Sequence, residues 1–119
     1  MSLYRSGPLT KLIPLSGNNV VSFTGRRVSG ESSPGLNFNV QYNDSFDPQI
    51  ASNAAASRIN AFYIAKTVHD FAFRYGFTEQ AFNFQISNFG KGGRDGDLVF
   101  MSVQDASGFN NANFASPPE

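Results

Sequence analysis

The chain has 119 residues, with nine basic side chains against nine acidic, no cysteine and a single histidine, His69. That length supports one domain with a core and leaves no room for a second. The charge balance argues against a nucleic-acid binder, which should show a basic face, and the missing cysteine excludes disulfides and cysteine-built zinc sites.

Residues 20–23, VVSF, follow the turn residues SGNN and read as a short strand. Residues 24–35 are loop chemistry throughout. Leu36, Phe38, Val40 and Tyr42 then alternate with Asn37, Asn39 and Gln41. This period of two predicts a strand with one buried and one wet face. The longest element is a helix over residues 53–75. Ala61, Ile64, Ala65, Val68, Phe71, Ala72 and Tyr75 recur at three-and-four spacing, and Phe62, Tyr63, His69 and Phe73 fill the flanks. A helix apolar around most of its circumference should be wrapped by protein. Asn53 or Ser57 could cap its start and Gly76 should sit just past its end. Lys66, Asp70 and Arg74 are spaced to pair along its polar stripe. Thr78 opens a short helical piece, residues 88–97 form a glycine-rich turn, and residues 98–105 read as a strand with Val99, Met101 and Val103 on one face. No apolar run reaches membrane-spanning length, and residues 1–17 lack the apolar stretch and cleavage site of a signal peptide.

Several motifs invite chemistry. His69-Asp70 could suggest a catalytic or metal pair, but adjacent helical residues diverge by about 100°, so the pair cannot address one ligand, and a lone histidine on an apolar helix reads as a core residue. GKGGRDGD resembles a phosphate loop only at a glance. It lacks the G-x-x-x-x-G-K-[ST] order, and a strand follows where a helix N-terminus is needed. Asp95 and Asp97 do not match a calcium-loop spacing. No nucleophile, base and orienter can be assembled, so no catalytic residue is assigned. Asn43-Asp44-Ser45 is the one N-x-[ST] sequon, which makes Asn43 the candidate for N-glycosylation. The closing residues, GFNNANFASPPE, mix amides with aromatics. Asparagine-rich extended segments serve turns and solvated edges, and they also pair with peptide backbones; the residues alone favour the first use.

Several ordered blocks change that balance: N-A-F-Y, H-D, R-Y-G-F-T-E, N-F-G-K-G-G, V-Q-D-x-S-G and N-N-A-N-F-x-x-P-P, over residues 58–118. Together they resemble the fungalysins, secreted fungal zinc endopeptidases of the thermolysin-like group. Residues 1–57 are similar to the strand-rich start of the same catalytic domain only loosely. The resemblance implies an α+β fold: a mainly antiparallel sheet packed on one long buried helix, part of the N-terminal lobe of a thermolysin-like peptidase. Residues 1–119 would form a single partial domain, with a strand- and loop-rich segment over 1–52 and the helix, turn, strand and substrate edge over 53–119.

The resemblance also implies roles. In that architecture an Asn-Asn-Ala stretch forms the edge that holds the substrate peptide, which points to Asn111 and Ala112, with Asn113 beside them, as substrate-binding residues. The family's H-E-x-x-H lies downstream of the Pro-Pro pair, so this chain is expected to hold none of the zinc ligands, to bind no zinc alone and to be inactive alone. Its expected partners are a peptide or protein substrate and the C-terminal part of the catalytic domain, with no nucleic acid and no membrane. The expected location is extracellular, after loss of a leader and propeptide. Phe109 stands where the family commonly has a small polar residue. The alternative is a stand-alone peptide-binding or regulatory module without catalysis.

Overall fold

A computed structural model describes residues 15–24 and 37–116 of the chain. Among these residues the order is strand β1 (Val20–Thr24), helix α1 (Ala51–Arg74), a single 3-10 turn (Glu79–Ala81) and strand β2 (Val99–Val103). The two strands run parallel, from Val20 opposite Val99 to Thr24 opposite Val103. Parallel neighbours need a crossover connection, and α1 lies within it and packs against both strands.

The α+β class holds, but the sheet differs from expectation. It has two parallel strands where a mainly antiparallel sheet was predicted, and the sole antiparallel contact among the described residues is the bridge between Ser16 and Val21. Within the alternating segment, Leu36 lies outside the described residues and residues 37–43 form no strand. Val40 and Tyr42 are exposed. Alternation describes a wet and a dry face, but a strand also needs a neighbour for its ladder. Here the backbone of Asn43 is taken up by a side chain instead: Asn43 N–H donates to Asn53 Oδ1 at 2.9 Å, and Asn53 Nδ2 donates to Asn43 O at 2.8 Å.

Helix α1 begins two residues earlier than predicted, and neither proposed cap acts as one. Ile50 occupies the cap position without a side-chain bond. Asn53 lies in the first turn, fully buried, and Ser57 Oγ bonds back to Asn53 O at 2.9 Å. The C-terminus matches expectation. Gly76 N–H donates to Phe73 O and Phe77 N–H to Ala72 O, at 3.2 and 3.1 Å, the bond pair of a Schellman motif. Lys66 and Asp70 pair at 3.5 Å on the outer face.

Among the described residues, the helix, expected to be wrapped, is buried only near its start. Its buried residues are Asn53, Ala54, Ala55 and Arg58, all near its start, where the two alanines bring it close to β1. Leu15, Val20, Val21 and Phe23 complete the core. Farther along, Ile64, Val68, Phe71 and Tyr75 are 50 to 78% exposed, and they make one continuous stripe at spacings of four, three and four. The reason is dimensional. Twenty-four helical residues span roughly 36 Å, and two strands cover only about 10 Å of width.

Candidate functional site

A polar knot anchors the base of the molecule and places the start of β2. Asn83 Nδ2 donates to Gln85 Oε1 at 3.0 Å, and Gln85 Nε2 donates to Asn88 Oδ1 at 3.2 Å. Asn88 Nδ2 then donates to the carbonyls of Gly92 and Arg94, each at 2.9 Å, which closes the glycine-rich turn. Asn83, Gln85 and Asn88 are all buried. Asn18 pairs with the backbone of Ser87 in both directions, its Oδ1 accepting and its Nδ2 donating at 2.9 Å. Asp97 Oδ1 accepts from Gln85 N–H at 3.0 Å, so this carboxylate is engaged structurally. Gly93 has φ +71° and packs so closely on the Glu79 carbonyl that a Cβ there would overlap it. The reading of this stretch as a structural turn agrees with its geometry.

Glu79 is buried beside the same turn. Its own backbone N–H holds its carboxyl below the usual range, and Lys91 Nζ at 3.3 Å adds to that shift while burial opposes it. His69 and Asp70 do touch each other, Nδ1 to Oδ1 at 3.3 Å, which the divergence argument did not anticipate. His69 is otherwise half-buried along the helix, with its ring 6.4 Å from that of Phe73.

The C-terminal segment is built differently. β2 pairs with β1 on one side, and among the described residues no strand covers its other edge. Residues 107–113, residues 47–49 and residues 100–105 together line an open cleft of about 960 Å³. Asn111, Ala112 and Asn113, which are consecutive in sequence, all line this cleft. Their bonds are local: Ala112 N–H donates to Asn111 Oδ1 at 2.9 Å, and Asn113 Nδ2 donates to Ser107 Oγ at 3.2 Å. All three are exposed. Gly108 sits so near Asn111 that an added Cβ would lie 3.0 Å from Asn111 Nδ2, so the absent side chain leaves the amide its place. Phe109 also lines the cleft and is fully exposed. The contribution of residues 47–49 was missed in the sequence. No local signal linked Pro48 to residues 104–113. Asn43, the sequon asparagine, is exposed away from this lining, and its Oδ1 accepts from Ser45 N–H at 3.0 Å.

Comparison with known proteins accounts for the block pattern. The family model of fungalysin metallopeptidase (M36) matches residues 5–119. The chain belongs to this family. Among curated relatives, extracellular metalloproteinase 2 of Trichophyton tonsurans is 39% identical over 110 residues, covering 87% of this chain and 17% of the relative. Extracellular metalloproteinase mep of Aspergillus niger is 48% identical over 88 residues, 74% of this chain and 14% of the relative. Extracellular metalloproteinase 10 of Coccidioides posadasii is 47% identical over the same length, with the same coverage. The chain therefore spans about one sixth of the length of these fungalysins.

Fungalysins are zinc metallopeptidases, and the residues described here do not fit zinc. No three His, Cys, Asp or Glu side chains gather among them. His69 has only Asp70 beside it, and that carboxylate also serves Lys66. A zinc site needs at least three protein donors converging on one point.

Proposed function

We propose that this chain is the peptide-holding portion of an extracellular fungalysin-type metalloendopeptidase, inactive alone. What supports this reading is that Asn111, Ala112 and Asn113 line an open cleft together with residues of β2, whose second edge no described strand covers. An extended peptide laid there could add as a strand, and exposed amides could fix its register. Asn111 would supply a carboxamide to the substrate backbone and Ala112 a carbonyl. The zinc ligands and general base would come from polypeptide that these residues do not include.

The bare stripe of Ile64, Val68, Phe71 and Tyr75 supports this reading over a stand-alone module. A self-sufficient module would cover about three consecutive apolar turns of its longest helix, whereas a part of a larger catalytic domain would meet its remainder there. The relatives' names support an extracellular setting.

The test uses the purified 119-residue chain. It should bind an end-blocked Gly-Ala-Phe-Leu-Ala-Gly peptide by fluorescence polarisation, and Asn111→Ala should weaken binding about tenfold while leaving the melting temperature unchanged. It should cleave no casein with zinc present. Stoichiometric zinc with chelator-sensitive cleavage would overturn the inactivity, and equal binding by the Asn111 variant would overturn the assignment of the edge.

A further inference from the structure

We infer that Gln104 is a positioning residue that latches the two walls of the cleft together; this rests on the peptide-holding reading above. β2 ends at Val103, and the next residue, Gln104, has φ +51°. That left-handed conformation is unfavourable for a residue with a side chain and persists only where its surroundings hold it. It is also what swings the chain out of the sheet and into the segment carrying Asn111. The side chain does the holding: Gln104 Nε2 donates to the carbonyl of Pro48 at 2.6 Å, across 56 positions of sequence.

The anchor at Pro48 is itself fixed from beneath. Asn53, fully buried in the first turn of α1, accepts from Asn43 N–H and donates to the carbonyls of Asn43, Phe46 and Asp47, at 2.8 to 3.3 Å. One buried carboxamide thus pins the loop that ends at Pro48. Residues 47–49 and 107–113 both line the cleft, and Gln104, on the chain leading to the second segment, bonds the first. On the far side of the corner, Asp105 accepts from Ser102 Oγ at 3.0 Å and from Ser107 N–H at 2.8 Å, which stiffens the turn that follows. A rigid path therefore runs from the helix start, through the loop, across the Gln104 bond and into the peptide edge. The amide of Gln104 is aimed at Pro48, so its influence on a bound peptide runs through the separation of the walls.

The test compares three variants of the 119-residue chain with wild type, using the labelled Gly-Ala-Phe-Leu-Ala-Gly peptide with both ends blocked. Gln104→Glu keeps the size and loses the donor, and it should weaken binding about three- to tenfold, the worth of one exposed hydrogen bond and the looser wall it leaves. Gln104→Lys keeps a donor of sufficient reach and should bind within about twofold of wild type. Gln104→Gly relieves the backbone while removing the latch, so it should melt no lower than wild type and still bind weakly, a split that a purely structural role would not produce. If wild type binds, Asn111→Ala does not, and Gln104→Glu matches wild type, the latch is overturned while the peptide site stands. If wild type fails to bind the probe, the peptide site falls and the latch falls with it.

Discussion

Residues 83–97 and residues 105–113 both mix asparagine with glycine and phenylalanine, and they differ in how their amides are buried. In the first stretch Asn83, Gln85 and Asn88 are buried, and their amides close the chain's own turns. In the second, Asn111 and Asn113 are exposed, with bonds reaching no farther than six residues. A carboxamide has both a donor and an acceptor group, and burial decides whose backbone they serve. Composition therefore cannot separate a structural asparagine from a binding one. Burial can: the amides of the knot are closed off inside their own fold, while those of the cleft wall bond only to near neighbours and stay exposed.

The largest expected effect lies in the knot. Gly93→Ala places a Cβ against the Glu79 carbonyl at φ +71°, so both the contact and the backbone oppose it. A loss of roughly 3 kcal/mol or more is expected, which a thermal melt would register as a fall of more than 10 °C. A loss below about 1 kcal/mol would mean that the turn is not held as tightly as its hydrogen bonds imply, and the contrast between the two stretches would weaken.

Next in size is the pH response of the same turn. The folded state holds the Glu79 carboxyl below its ordinary value, near 4.3 for an unperturbed glutamate, through its own backbone N–H and through Lys91. A depressed carboxylate stabilises the fold above that ordinary value, and the stabilisation is lost as pH falls through the folded-state pKa. Melting temperature should therefore be flat from pH 7 to about 5 and decline below about 4.3. Glu79→Gln should flatten the decline, and an unchanged acid limb in that variant would remove Glu79 as its source. Peptide binding should vary little between pH 7 and 5, because Asn111, Ala112 and Asn113 carry no titratable side chain.

The elements with strong local signals were readable. α1, β2, the Gly76 stop and the structural nature of the glycine-rich turn all follow from spacing and turn chemistry. Where the reading failed, the deciding partner was distant. The direction of the sheet depends on which strand β2 meets, and Val20 and Val99 are far apart in sequence. Alternation at Phe38, Val40 and Tyr42 gave a face without saying whether a ladder exists. Asn53 was read as a helix cap because asparagine at a helix start usually serves its own N–H groups, yet its side chain serves the loop before it. At the cleft, the block pattern led to Asn111, Ala112 and Asn113 through resemblance. Nothing in the sequence joined them to Pro48, whose contact with Gln104 spans 56 positions.

The same distinction between buried and exposed groups governs the apolar residues of α1, and it gives the smallest expected effect. Ala54 and Ala55 are packed, while Val68 is 59% exposed. Replacing an exposed β-branched residue with glutamine removes little buried area and slightly improves helix propensity. Val68→Gln should therefore shift the stability of this chain by no more than about 0.5 kcal/mol, and it should lower the binding of a hydrophobic dye. Made instead in a full-length fungalysin carrying this segment, the same change should cost about 1 to 2 kcal/mol if the stripe meets the remainder of the domain, because a buried valine would then be replaced by a polar group. A small effect in both settings would mean that the stripe stays in water, and the argument for a covering partner would lose its main support. A large effect in the isolated chain would mean that the stripe is already covered, as a self-sufficient module requires.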